Sequence, residues 1–224
     1  HLVLRRQRQM CIRDSYIRLL EELDLKLVKV VDTHVHADHI TAMGALRDRT
    51  NCVTVMGEQS PVDVVSMRVS DGERVTIEGI DLTAMHTPGH TDDSYCFRMD
   101  DRVFTGDTLL IRGTGRTDFQ NGDAGQQYDS LFDGVLKLPE STLVYPAHDY
   151  KGDMVSTIGE ERANNPRLQV GSRAEYIELM AGLNLPNPKM MDVAVPENIR
   201  MGLNLDRQRE VATVTPESII MDNA

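Results

Sequence analysis

The 224-residue sequence contains few cysteines and no long hydrophobic run. Its three cysteines, Cys11, Cys52 and Cys96, are widely spaced and odd in number, which excludes the framework of a disulfide-rich secreted protein. No stretch reaches the roughly 18 apolar residues of a membrane-spanning helix, and no apolar segment is typical of a signal peptide. We therefore expect a reducing, bacterial-type cytoplasmic location and no membrane partner.

The sequence also has little positive charge. Its 24 lysines and arginines are outnumbered by 35 acidic residues, giving a net charge of −11. A nucleic-acid surface needs clustered basic residues, so no nucleic-acid partner is expected. The contents of 40% hydrophobic and 26% charged residues are ordinary for a globular protein. The length fits one large domain.

The two ends of the chain differ from its middle. Arginines crowd residues 5–13 without a sustained apolar period. Residues 1–15 resemble translated sequencing-adaptor read-through, so we predict that they are not native; a basic disordered arm is the alternative. We place one domain at residues 16–203. Residues 204–224 are polar and are predicted to form a tail or linker.

Hydrophobic patterning predicts a mixed α/β protein with sheet layers between helices. Residues 25–31 alternate and then become fully apolar, as in a buried strand. Residues 57–71 are predicted to be rich in loops, and residues 106–122 are predicted to form one long loop. The other predicted elements are helices at 40–49, 124–138, 158–164 and 174–181, strands at 52–56, 74–77, 82–85, 95–99, 103–105 and 142–145, and an extended run up to Pro196.

The segment DTHVHADHITAMGA, Asp32 to Ala45, is the densest chemical feature of the chain. Within six positions it holds His34, His36, Asp38 and His39, although the whole chain has only seven histidines. The segment follows the predicted strand at 25–31. Sites collect at the carboxyl ends of strands in open α/β sheets. This position therefore indicates a functional cluster.

Three further candidates also follow predicted strands: His90 in HTPGHTDD, Asp107 and His148. A lone histidine after a strand is more often an ordinary surface residue. Here six of the seven histidines lie in such loops, which favours a joint metal site. Imidazole and carboxylate ligands suit zinc, iron or manganese, and the lack of nearby cysteines argues against a structural zinc knuckle.

The order HxHxDH, then His, Asp and His, resembles the metallo-β-lactamase superfamily. The resemblance implies an α/β fold, an αββα sandwich with its site at one edge. Members normally have several strands before HxHxDH, so this chain is expected to lack its N-terminal strands. A narrower resemblance, to the persulfide dioxygenases, lies in THVHADHITA, GDTLLIRGTGRTDFQNGDA, YPAHDYKG and NLPNPKMMDVAVPENIRMG.

Persulfide dioxygenases bind one ferrous ion and oxidise glutathione persulfide with O₂ to sulfite and glutathione. The resemblance implies that His34, His90 and Asp107 bind this iron and are the catalytic residues, which leaves open coordination positions. The remaining residues would orient these ligands or derive from a second metal site: His36, Asp38, His39 and His148. Tyr150 would hydrogen-bond toward them or be a half-buried core residue. Spacing alone leaves open a dinuclear zinc site, as in a glutathione thioester hydrolase resembling glyoxalase II.

Arg116, in the segment GTGRTDFQ, is the candidate substrate-binding residue. Glutathione carries two carboxylates, and a guanidinium binds a carboxylate through paired hydrogen bonds. The alternative is an arginine that braces a glycine-rich loop, with Asp118 as its partner. The resemblance also suggests a homodimer and a sulfurtransferase (rhodanese) domain or partner, with residues 204–224 leading toward such a domain.

Overall fold

The computed structural model describes residues 13–149, 152–186, 188 and 190–203. Residues 13–22 are helical. Several predictions lie outside the described residues: those on residues 1–12, on Tyr150 and on the tail at 204–224.

The first sheet has three parallel strands in sequence order: β1 (Lys29–Val31), β2 (Val53–Gly57) and β3 (Met67–Val69). The last four residues of β2 are buried, as expected for the central strand of a covered parallel sheet. β1 is shorter than the predicted strand at 25–31, because pairing with β2 begins only at Lys29. The segment 57–71, which was predicted to be rich in loops, also contains the short strand β3. β3 owes its conformation to backbone hydrogen bonds with β2, which local sequence does not reveal.

The second sheet has six strands, and only the pairing of β7 with β8 is parallel. The segments that follow these two strands therefore leave the sheet at the same edge, and they carry Asp107 and His148. The strands, in their order across the sheet, are β4 (Arg74–Ile77), β5 (Ile80–His86), β6 (Tyr95–Arg98), β7 (Arg102–Gly106), β8 (Leu143–Pro146) and β9 (Ser156–Thr157).

Besides the helix at residues 13–22, the described ranges contain five α-helices: α1 (Met43–Thr50), α2 (Ala124–Asp129), α3 (Ile158–Asn164), α4 (Arg173–Ala181) and α5 (Met191–Asn198). None of the helices in the described ranges has the length and apolar character needed to cross a membrane. The helix predicted at 124–138 is confirmed over residues 124–137, although only its first part is α-helical. After α2 the chain continues as a π-helical turn, Ser130–Gly134, and a 3₁₀ turn, Val135–Lys137. Gly134 departs from helical geometry, with φ −114° and ψ −89°.

The prediction of an extended run up to Pro196 is wrong, because residues 191–198 form helix α5 and Pro196 lies inside this helix. A proline inside a helix removes one backbone hydrogen bond. The helix nevertheless buries Ala194, and Val195 and Met201 pack with Met43 in one apolar cluster. This tertiary burial outweighs the local preference of the sequence.

Three apolar cores define the layers of the molecule. Between the sheets, Val55 and Val69 of the first sheet meet Val75, Ala84 and Phe97 of the second. The outer face of the second sheet packs against α2, α3 and α4. The outer face of the first sheet packs against α1 and α5. The resulting order of helices, sheet, sheet and helices confirms the predicted αββα sandwich.

Cys96 lies in β6 and is fully buried, so it is part of the apolar core. Burial raises the pKa of its thiol to about 11 from an ordinary value of 9.0. The unfolded chain therefore ionises at lower pH than the folded one, so stability that is complete below pH 9 is lost as the pH rises toward 11. We expect the free energy of unfolding to fall by about 1 kcal/mol per pH unit in this window.

Urea unfolding between pH 8 and pH 11 measures this loss. The variant Cys96→Ala should lose stability less steeply with pH than the parent protein. An equal slope in both proteins would contradict the assignment.

Candidate metal centre

Four loops that leave the ends of β1, β5, β7 and β8 bring the predicted side chains to one edge of the sandwich. The loop after β1 is joined to β6 by the Tyr95 N–H, which donates to the Thr33 carbonyl at 2.9 Å. The loop after β8 is joined to β7, since the Ala147 N–H donates to the Gly106 carbonyl at 3.0 Å. These backbone contacts fix the loops relative to both sheets.

His34, His90 and Asp107 form the central group of this edge. Each offers one ligand atom, and these atoms lie within 4.8 Å of one another. The two imidazoles are buried and meet edge to face, with ring centroids 4.9 Å apart. His90 Nε2 lies 3.4 Å from Asp107 Oδ2. The sequence therefore predicted correctly that these residues lie together.

The hydrogen bonding of His90 shows how the ring is oriented. Its Nδ1 lies 2.7 Å from the backbone carbonyl oxygen of Arg116, which can only accept. Nδ1 therefore carries a proton, and Nε2 is the nitrogen turned toward Asp107, as in a metal-binding histidine whose other nitrogen donates to a carbonyl. Asp107 Oδ1 is also buried without a hydrogen-bond partner in the described part of the chain, so the group fits a metal ion.

The protonation of the histidines suits metal binding as well. Burial lowers the pKa of His34 well below its ordinary value, and the neighbouring His36 and His90 lower it further. Burial also lowers the pKa of His36 to about 4. Both rings are therefore neutral near pH 7, the form in which imidazole binds a metal.

His36, Asp38 and His39 form a second group whose ligand atoms also lie within 4.8 Å of one another. His39 Nδ1 is 3.0 Å from Asp38 Oδ1, and this hydrogen bond raises the pKa of His39. Burial disfavours the charged form of Asp38, but the hydrogen bond and charge of His39 outweigh burial and lower the Asp38 pKa. Within the described ranges, the buried His36 Nδ1 has no hydrogen-bond partner.

His148 lies between the two groups. Its Nε2 is 3.5 Å from Asp38 Oδ2 and 3.5 Å from Asp107 Oδ2. All six other candidates in the four loops are thus brought together with it. Tyr150 lies outside the described residues.

A cavity of about 620 Å³ opens beside the central group. Its apolar walls come from the loop after β7 and from the segment before α5, and they include Leu110, Ile111, Phe119, Leu185 and Pro186. Three cationic side chains also line it: Arg112, Arg116 and Arg167. A small molecule with apolar and anionic parts fits such a lining.

Arg116 lines the cavity, but most of its guanidinium is already engaged. Nε and Nη2 contact the two Asp118 carboxylate oxygens at 2.6 and 2.5 Å, and Nη1 donates to the Pro186 carbonyl at 2.7 Å. The guanidinium also lies over the Phe119 ring, 4.4 Å from its centroid. These contacts favour the alternative in which Arg116 braces the loop with Asp118. Its binding of substrate stays a prediction.

The chain matches the family model of the metallo-beta-lactamase superfamily over residues 4–148. It is 44% identical over 189 residues to mouse "Persulfide dioxygenase ETHE1, mitochondrial", an alignment that covers 83% of this chain and 74% of the mouse protein. This chain belongs to the persulfide dioxygenase family. The crystal structure of ETHE1 from Myxococcus xanthus is 51% identical, with a TM-score of 0.83 and coverage of 85% and 84%. "Glyoxylase B2" of Dictyostelium discoideum is more distant, at 28% identity over 84% of this chain and 75% of its own length.

Membership of the persulfide dioxygenase family confirms the resemblance found in the flanking motifs and implies a metal-binding site. The His34, His90 and Asp107 group offers such a site in this family member.

Sequence reasoning missed two residues that position the candidate site of this family member. Asp93 is buried, and its Oδ2 accepts the backbone N–H of Val35 at 3.0 Å, between His34 and His36. Its place in HTPGHTDD was the available signal. Gln127 is fully buried, and its Nε2 donates to the Gly115 carbonyl at 3.1 Å. Nothing in its local sequence indicated this contact.

Gly115 is needed where the loop after β7 passes the metal group. A Cβ at this residue would lie 2.2 Å from the Asp107 carbonyl oxygen and 2.8 Å from His90 Cγ. We expect Gly115→Ala to displace these residues and weaken metal binding by about 10- to 100-fold, the usual range for disturbed ligand orientation. Anaerobic titration with ferrous iron measures the change.

Gly113→Ala is the matched control, because no heavy atom outside its chain neighbours lies within 4 Å of an added Cβ there. It should bind iron as the parent protein does. Equal weakening in both variants would show that loop stiffness, and not the contact with His90, is responsible.

Proposed function

We propose that this protein oxidises glutathione persulfide with O₂ to sulfite and glutathione, at one ferrous ion per chain. The kinship with the mouse and M. xanthus persulfide dioxygenases supports this oxygen-using oxidoreductase activity. In balanced form, one persulfide, one O₂ and one water give one glutathione, one sulfite and two protons. The outer sulfur of the persulfide is oxidised, and O₂ is reduced.

The observation that carries the proposal is the buried group of His34, His90 and Asp107. Two imidazoles and one carboxylate, with ligand atoms within 4.8 Å of one another, form the donor set typical of non-haem iron oxygenases. A ferrous ion held by these residues would supply the electron path between the persulfide sulfur and O₂. His34, His90 and Asp107 are therefore the proposed catalytic residues.

The chain's own residues keep this donor set in its ligating form. The Arg116 carbonyl holds the proton of His90 on Nδ1, which leaves Nε2 free to bind a metal. Burial keeps His34 neutral by lowering its pKa. Asp38, His39 and His148 continue from Asp107 as a chain of polar contacts, and we propose that they orient its carboxylate. His36 and Tyr150 are assigned the same supporting role.

The cavity beside the group provides for the glutathione part of the substrate. Its arginines suit the two carboxylates of glutathione, and its apolar walls keep bulk water from the reacting sulfur. Arg116 remains the proposed substrate-binding residue through Nη1, which carries two N–H groups and gives one to the Pro186 carbonyl.

The second candidate function is hydrolysis of a glutathione thioester at two zinc ions. The group of His36, Asp38 and His39 favours it, because these residues could hold a second ion. The more distant kinship argues against it, since the chain is 44% identical to the mouse persulfide dioxygenase but 28% identical to "Glyoxylase B2". The iron enzyme is therefore preferred.

Metal analysis of protein purified without oxygen tests the proposal. We expect one iron per chain and O₂ uptake when glutathione persulfide is added, with sulfite as the product. Two zinc ions per chain together with hydrolysis of S-lactoylglutathione would overturn it in favour of the hydrolase.

The proposal also covers the oligomeric state, the cellular location and the partner of the enzyme. We expect a homodimer, a cytoplasmic location and a sulfurtransferase of the rhodanese type, fused or separate, that exchanges persulfide sulfur with glutathione. Sedimentation of the purified protein tests the dimer, and a monomer across micromolar concentrations would exclude it.

A further inference from the structure

The loop of residues 32–42 carries four of the candidate metal-site residues, yet it contains no helix or strand. Backbone groups of a partly buried loop need hydrogen-bond partners. The strands supply them at the start of the loop, where the Asp32 N–H donates to Val55 and the Thr33 carbonyl accepts from Tyr95. Beyond Thr33, side chains from elsewhere bind the backbone of the loop. One of these side chains is Asn198, which lies in the C-terminal segment NLPNPKMMDVAVPENIRMG.

Asn198, the last residue of α5, is 3% exposed and uses its whole amide on this loop. Its Nδ2 donates to the carbonyl oxygens of His36 at 2.8 Å and His39 at 2.7 Å. Its Oδ1 accepts the backbone N–H of Thr41 at 2.9 Å. Only an asparagine amide in this orientation satisfies two acceptors and one donor at the same time.

The surrounding chain is packed as closely as these bonds require. A Cβ at Gly202, where φ is +71°, would lie 2.2 Å from the Thr41 carbonyl oxygen. The Gly44 N–H donates to the Met201 carbonyl at 3.0 Å, and the Thr41 hydroxyl donates to Asp32 at 2.7 Å. The segment after α5 therefore packs directly against the backbone of the loop, and this contact restricts the position of the loop.

We propose that Asn198 is a positioning residue of the metal centre. By fixing the carbonyls of His36 and His39 on either side of Asp38, it holds this carboxylate 3.5 Å from His148 Nε2. His148 in turn lies 3.5 Å from Asp107 Oδ2. Asn198 therefore acts on the metal group through the loop and touches neither the proposed ligands' side chains nor the cavity.

Amide hydrogen exchange of the metal-free protein tests the contact itself. Asn198→Ala should speed exchange at the Thr41 amide by about tenfold or more, the effect of losing one buried hydrogen bond. Asn198→Asp keeps the acceptor for Thr41 and loses both donors, so exchange at Thr41 should stay slower than in Asn198→Ala.

Asn165→Ala is the matched control. Asn165 is also buried, follows helix α3 and donates from Nδ2 to the carbonyls of Leu110 and Gly113 at 3.2 and 2.9 Å, in a different loop. It should leave Thr41 exchange unchanged. Equal acceleration in this variant, or unchanged exchange in Asn198→Ala, would overturn the proposal.

The kinetic part rests on the proposed function. Both Asn198 variants should bind ferrous iron about 10- to 100-fold more weakly and lose kcat at saturating iron, with KM for glutathione persulfide changed less than about twofold, because Asn198 does not line the cavity. A raised KM with unchanged kcat would overturn the positioning role. If the parent protein oxidises no persulfide, exchange and iron titration still decide the role of Asn198, and the proposed function alone fails.

Discussion

Asp107→Ala should lose iron binding and at least about 1,000-fold of kcat/KM for glutathione persulfide, since a metal centre contributes several kcal/mol to the reaction. The physical reason is the position of this carboxylate. Its Oδ2 faces His90 Nε2 at 3.4 Å, and its Oδ1 is buried with no hydrogen-bond partner in the described ranges. Among the described residues, no other carboxylate completes the His34 and His90 group. Iron content after anaerobic loading, followed by O₂ uptake, measures the loss.

His148→Ala is the control for this variant. His148 contacts Asp107 and Asp38 at 3.5 Å and belongs to neither group of candidate ligands in the described part of the structure. It should keep most of the iron and lose activity only partly. Equal loss of metal from both variants would favour a dinuclear site, in which His148 is itself a ligand.

Glu161→Ala should lower the free energy of unfolding by about 3–5 kcal/mol, the range for breaking a buried ion pair on one side. Glu161 is fully buried and accepts four hydrogen bonds: from the Arg112 backbone N–H and Nη1, at 2.7 and 2.9 Å, from Ser156 Oγ at 2.7 Å and from Asn165 Nδ2 at 2.9 Å. Removing the carboxylate takes away the acceptor of the Arg112 backbone N–H and of the Ser156 hydroxyl, and it removes the buried one of the two carboxylates that bind the Arg112 side chain. Urea unfolding of the metal-free protein measures the effect.

Glu160→Ala is the matched control, because Glu160 binds the same arginine at 2.9 Å with a side chain that is 57% exposed. Exposed ion pairs contribute less than about 1 kcal/mol, so this variant should unfold almost as the parent protein does. Similar losses in both variants would show that the charge of Arg112, and not the burial of Glu161, decides the effect. Glu161 also anchors the loop that lines the cavity, so its loss should weaken substrate binding too.

The sequence by itself determined the fold class and the candidate metal residues. Strand periodicity placed β4 at residues 74–77, as in the structure, and α3 at 158–164 was equally well defined. Because each candidate follows a strand, the sequence implied that His34, His90, Asp107 and His148 meet at one edge. The ability of these side chains to bind a metal depends on their residue type, which is read directly from the sequence. The family could therefore be recognised from motifs alone.

The tertiary structure alone decided the elements and contacts that depend on distant parts of the chain. β3 exists through its pairing with β2, and α5 forms despite Pro196 because its apolar residues are buried. Local periodicity reports which positions are buried in a helix or strand, and it carries no information on these long-range partners. The same limit applies to Arg116, whose guanidinium is taken up by Asp118 and by carbonyls about 70 residues away.

The contacts that hold the metal loop show the limit most clearly. Asn198 binds the carbonyl of His36 from 162 residues away, and Gly115 is required only because Asp107 and His90 pack against it. Every residue type has the same backbone carbonyl. A side chain that binds a carbonyl therefore requires no particular residue type at its partner, and the sequence does not reveal the contact. The sequence thus determined which residues can bind a metal, whereas only the packed structure determined how their loops are held in place to do so.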